Sequence, residues 1–240
     1  MAAIVRPRLY SHLALFLAAF TFVAFSRTYY LRVFSDLPAM TQIVHLHGMV
    51  STAWMLLFVA QTRLVAGHRV DLHMKLGILG LVFAVAMVVT AFLTTIGAAG
   101  VPQVRPNGLT QAQFTAIQVM STGLFAACVA LGLWLRRRSD FHKRLMVLAM
   151  VAVIGPAVGR LVIWMGFAPY TSYFNTAAVA LLVTGCLAYD WRRHGIAHPV
   201  FAYGGLLIVL SWPFRYWLAR SDFYSPVADW FSRAGAAFIG

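Results

Sequence analysis

Charged side chains are what this chain has least of: they make up 10% of its 240 residues, where an ordinary soluble domain carries about 25%. That scarcity excludes a separate soluble domain with a normal surface. Cysteine is nearly absent too. Cys128 and Cys186 are the only two; both fall in apolar stretches and read as small packing residues rather than a disulfide or a metal pair. Lysine occurs twice, as Lys75 and Lys143, and never in the last apolar stretch. A rhodopsin-like protein with the usual retinal Schiff base is thereby excluded.

What the chain does have is long uncharged runs. No charge falls between Arg8 and Arg27, or within the runs 37–62, 76–104, 106–135, 145–159, 161–189 and 194–214. A run of about 18 or more uncharged residues crosses a hydrocarbon core of roughly 30 Å as a helix. In lipid the backbone must satisfy its own hydrogen bonds, so helices are the expected form. The expected fold is all-α, a polytopic transmembrane bundle of seven spans near 9–26, 43–62, 73–97, 111–135, 142–166, 172–189 and 199–219. Residues 1–220 form the membrane domain. Residues 221–240, with Phe223, Tyr224, Trp230 and Phe231, form an interfacial tail.

The net charge of +13 raises the question of nucleic acid, and its distribution excludes it. Arg6, Arg8, Arg63, Arg69, Lys75, Arg136, Arg137, Arg138, Lys143, Arg144, Arg192 and Arg193 put 12 of the 19 basic residues on one side. The basic face marks the cytoplasm, so the N-terminus is expected inside and the C-terminus outside. These residues meet anionic headgroups of the bilayer. Arg6 and Arg8 before an apolar run also suggest a signal peptide, but the run is long for one and reads as a retained first helix.

One short pattern repeats. Asp71-Leu72-His73-Met74-Lys75-Leu76 and Asp140-Phe141-His142-Lys143-Arg144-Leu145 share Asp-apolar-His-x-basic-Leu. Each opens a span after a basic loop, and each Asp is placed to cap its helix. The two spans run parallel, so His73 and His142 are expected at similar depth and close together. His12, His68, His194 and His198 fall toward the same pole. An ionisable residue at a membrane span is a functional candidate by default.

His45 and His47 lie at the other pole. Two residues apart on a helix, they point about 200° away from each other, and His47, followed by Gly48, is the better inward candidate. Arg160, about 27 Å along its helix from His142, is a candidate for an anionic ligand group. A kink at Gly155-Pro156 is expected to turn it inward. Gln61 is a strong hydrogen-bonding side chain near the His-rich pole.

Three functions fit these residues. In the first, His73 and His142 are axial ligands of a b-type haem serving electron transfer, with Lys75 and Arg144 meeting its propionates. In the second, His73, His142 and His198 hold a catalytic zinc, with Asp71 or Asp140 orienting ligands or acting as a base, as in an intramembrane hydrolase. Pro199 weakens this one by disfavouring helix at His198. In the third, the chain is a non-catalytic assembly factor or a subunit of a membrane complex.

The segments Leu46-His47-Gly48, Gln61-Thr62-Arg63-Leu64, Asp71-Leu72-His73, Leu76-Gly77, Asp140-Phe141-His142-Lys143-Arg144-Leu145-Met146, His198-Pro199 and Gly204-Gly205 resemble those of uncharacterised bacterial multi-span, His-containing inner-membrane proteins. The resemblance touches spans 2 to 7 and implies a multi-pass protein of the bacterial inner membrane. More loosely, the chain is similar to b-type haem bundle cytochromes. It departs from them in lacking paired His at both poles, which speaks against two haems.

Overall fold

The computed structural model describes residues 9–239. Arg6 and Arg8, counted above toward the inner side, lie outside the described residues. Among the described residues all regular structure is helical, apart from one isolated bridge between Val104 and Thr110. The chain divides into two compact units, Met1–Thr90 and Ala91–Gly240.

The first unit begins with α1 (Leu9–Phe25) and α2 (Gln42–Ala66). Ala14, Leu17 and Ala18 are buried along one face of α1, the i, i+3, i+4 spacing of a packed helix face. A π-helical turn, Ser26–Tyr30, ends α1. It delivers Tyr30 to α2, where its hydroxyl lies 2.8 Å from Thr52 Oγ1. After α2, His68 takes a left-handed backbone (φ 61°), and the chain reverses directly into α3 (Val70–Ala99). The unit boundary falls inside α3.

The second unit contains α4 (Gln111–Trp134), α5 (Ser139–Ala152), α6 (Gly155–Trp164), α7 (Thr171–His194), α8 (Gly205–Arg220) and α9 (Ser225–Ile239). Thr110 and Gln113 close α4 with a reciprocal capping box, which satisfies two backbone N–H groups that a helix start leaves unpaired. Helix α5 is the core of this unit. Leu145 and every residue from Val147 to Ala152 are buried, as expected of a helix apolar all round. It packs against α4, α7 and α8. The expected kink is present: α5 stops at Ala152 and α6 restarts at Gly155 with Pro156 in its first turn, where a missing N–H costs nothing. Helix α9 packs on α4 and buries Ala228 and Phe231 while Val227, Trp230 and Phe238 stay exposed.

Six helical segments are long and apolar enough to cross a membrane: Leu9–Tyr30, Gln42–Ala66, Val70–Ala99, Gln111–Trp134, Ser139–Trp164 and Ala168–His194. This is the architecture of a multi-pass membrane protein. The seventh expected stretch is divided. Its helix α8 has 16 residues and contains Pro213, short of the roughly 20 that a crossing needs, and a π-helical turn, Val200–Gly204, precedes it.

The capping expectation for the two aspartates is corrected by the helix starts. Helix α3 begins at Val70 and α5 at Ser139, so Asp71 and Asp140 sit inside the first turn rather than at the cap. There a carboxylate interacts with the positive end of the helix dipole.

Candidate functional site

The site is built where α4 ends and α5 begins. The last four carbonyls of a helix have no partner within it. At this end Leu135 N–H donates to Leu131 and Arg136 N–H to Leu133, which passes over Gly132. The Gly132 carbonyl oxygen lies 2.8 Å from His142 Nδ1. To donate to a carbonyl, Nδ1 must carry the proton, so in the neutral ring Nε2 carries the lone pair. Gly132 makes the approach possible. A Cβ there would collide with the Met146 Sδ-methyl and stand 3.4 Å from Leu145 Cβ.

Two residues further along α5, Arg144 is 2% exposed and faces Asp190, 0% exposed, in the last turns of α7. Its Nε donates to Asp190 Oδ2 at 2.8 Å and its NH2 to Oδ1 at 2.7 Å. This is the two-pronged geometry that suits guanidinium to carboxylate. Arg144 NH1 also donates to the Asp140 carbonyl at 2.8 Å. Asp140 itself is exposed and pairs with Lys143.

His198 joins the same network. Its backbone N–H donates to Asp190 Oδ2 at 3.3 Å, and its Nδ1 accepts from Val200 N–H at 3.2 Å. Its ring stands edge-on to Phe141 with centroids 4.7 Å apart. Burial, and then the Arg144 charge, push the His198 imidazole below its usual range, against the pull of Asp190 and Asp140. Arg144 on α5, Asp190 on α7 and His198 in the turn after α7 are therefore brought together from three separate segments. The role expected of Arg144 toward a cofactor is displaced: Asp190 occupies both prongs of its fork.

The other sequence candidates are distributed as follows. In the first unit His73 is part-buried on α3, with Asp71 and Lys75 exposed beside it. Gln61, on α2, buries an Oε1 that has no hydrogen-bond partner. His47 is held at both ring nitrogens, Nδ1 at 3.0 Å from Thr90 Oγ1 and Nε2 at 3.5 Å from Ser51 Oγ. In the second unit Arg160 NH1 donates to the Pro156 carbonyl at 3.0 Å. His73 belongs to the first unit and His142 to the second. Among the described residues no group of three or more His, Cys, Asp or Glu stands together as a metal site.

Two functional-looking residues escaped the sequence reading. In sequence Asp190 only marks the end of a span, although a lone acid beside the basic Arg192-Arg193 pair is a signal for a partner. Arg215 follows the last uncharged run as an ordinary flanking charge in sequence, yet it is 0% exposed. No protein-family model matches the chain, and no curated protein or solved structure is significantly similar to it.

Proposed function

We propose that this chain is a seven-span protein of the bacterial inner membrane that holds a b-type haem near its inner face and serves electron transfer. The N-terminus is inside and the C-terminus outside. The seventh crossing is the helical run 200–220, with Arg215 turned into the protein, as a charge at membrane depth requires.

The 2.8 Å contact between His142 Nδ1 and the Gly132 carbonyl carries this reading. A histidine that coordinates a metal usually donates its other ring N–H to a carbonyl or carboxylate, which locks the ring and raises ligand basicity. His142 makes that contact through Nδ1, and its Nε2 would be the atom to hold the haem iron. His73, opening α3 in the matching motif, would be the other residue to hold the haem. Lys75, exposed beside it, is the cation for a propionate. Arg144 anchors α5 to Asp190 and so holds His142 in register. A haem bound in this way supplies one-electron transfer, while the protein sets ligand orientation and the surrounding charge.

The test is an absorption spectrum of protein expressed with haem in excess and purified in detergent. The wild type shows a Soret band, and His142→Ala or His73→Ala abolishes it while expression persists. A colourless wild type refutes the reading.

A further inference from the structure

Among its described residues, the second unit buries an arginine with no acid within ion-pair distance. Arg215, on α8, is 0% exposed. Its NH1 donates to Ser121 Oγ at 2.7 Å and its NH2 to Ser211 Oγ at 2.8 Å. Both hydroxyls give their own protons to the backbone, Ser121 to Ile117 O at 2.8 Å and Ser211 to Ile208 O at 2.6 Å. They serve Arg215 as neutral acceptors only. The chain contains no glutamate, its six acids all being aspartates. Among the described residues none of these stands within ion-pair distance of Arg215. Arg144 is buried almost as deeply and has Asp190; Arg215 has nothing equivalent.

Magnitudes decide what this means. A guanidinium stays charged, and removing such a charge from water costs several kcal/mol even after relaxation. The Trp212 ring, 4.5 Å from Arg215 Cζ, returns only part of that cost as a cation–π contact. A deficit remains, and the neighbouring atoms show where its counterpart belongs. Arg215 Nε, Trp212 Nε1 and Asn175 Oδ1 are all buried without a hydrogen-bond partner. Trp212 and Asn175 meet at Gly155: the indole fills the space a Cβ would take, and Asn175 Oδ1 lies 3.4 Å from the same point. From there polar groups continue to the surface. The Tyr216 hydroxyl stands against the Asn175 and Asn107 side chains and near Arg105. Arg220 NH2, at the exposed end, donates to the Asn107 carbonyl at 3.1 Å.

We propose that this end of the second unit binds a phosphoryl oxyanion that also carries an O–H. Arg215 Nε and Trp212 Nε1 donate to the anionic oxygens, and Asn175 Oδ1 accepts from the hydroxyl. Arg105 and Arg220 attract the ligand at the mouth. Two sources present this chemistry: free monoprotonated phosphate, and the glycerol phosphate headgroup of phosphatidylglycerol. The site lies within the second unit and does not depend on the haem.

Thermal unfolding in a neutral detergent tests it, with three additions at fixed ionic strength: inorganic phosphate, phosphatidylglycerol, or phosphatidylcholine as the neutral control. Saturable stabilisation by phosphate assigns a free solute; stabilisation by phosphatidylglycerol alone assigns the lipid. At a hundred times Kd the expected rise in Tm is about 5–10 °C. Arg215→Met removes the response without lowering the ligand-free Tm, because the unbalanced charge has gone. Arg105→Gln, at the half-exposed mouth, weakens the midpoint roughly tenfold, as expected for one charged hydrogen bond. It serves as the test variant if Arg215→Met does not fold. No stabilisation by either phosphoryl probe overturns the proposal. So does a response that Arg215→Met retains or, where that variant does not fold, a midpoint that Arg105→Gln leaves unchanged.

Discussion

Replacing Asp190 with alanine strands the Arg144 guanidinium inside the second unit, and the cost follows from what surrounds it. In the native protein both carboxylate oxygens are bonded, at 2.8 and 2.7 Å, by a side chain 2% exposed. The contacts that survive the substitution include the Asp140 carbonyl at 2.8 Å, a 3.5 Å contact to the Asp140 carboxylate and the Phe201 ring, 5.7 Å from Arg144 Cζ. That carboxylate is 65% exposed and already engaged by Lys143, so it replaces little of the loss. Removing one partner of a buried ion pair costs about 3–5 kcal/mol. At roughly 2–4 °C per kcal/mol for a chain of this size, Asp190→Ala lowers Tm by about 6–20 °C. Replacing both partners with apolar residues, as in Arg144→Met with Asp190→Leu, removes two desolvated charges together and restores most of the loss. A thiol-reactive fluorophore reads the unfolding, since Cys128 and Cys186 are both buried and free. A drop smaller than about 3 °C in the single variant refutes this account. A double variant no more stable than either single one does the same.

Other outcomes follow from the same coordinates. A Cβ on Gly235 falls on Gly100 N and Ile96 O, so Gly235→Ala forces α9 away and costs about 1–3 kcal/mol. Gly77→Ala meets nothing within 4 Å and is neutral or stabilising by up to about 1 kcal/mol; equal effects of the two in melting experiments argue against the packing described. The folded His198 imidazole titrates below its usual range, so the unfolded chain takes up the proton first. Its contribution is complete above pH about 6.5 and is lost as pH falls through the lower folded value. His198→Asn flattens the fall in Tm between neutral and acidic pH, and an unchanged profile removes His198 from that role. Reporters fused after Ser139 and after Gly240 report opposite sides of the membrane; the same side for both defeats the seven-span topology.

Much of the fold is legible in the sequence because the constraint that produces it is local. A backbone in lipid has no hydrogen-bond partner but itself, so long uncharged runs become helices whatever their neighbours do. The break between α5 and α6 is legible for a similar reason, since Pro156 lacks an N–H and acts on its own turn. His142 is legible as a candidate from its motif. Its partner is not: Gly132 matters because of where α4 happens to stop.

Tertiary structure alone decides what each charge does. Arg144 and Asp190 are 46 residues apart in sequence, and Arg215 and Ser121 are 94 apart. Along the chain, Arg144 and Arg215 are two of many basic residues that orient spans. Only the rotation of α5 and α8 about their axes, set by which faces pack on α4 and α7, turns these two inward. There, with little water to screen a charge, Arg144 is matched by Asp190, whereas among the described residues no acid stands within ion-pair distance of Arg215.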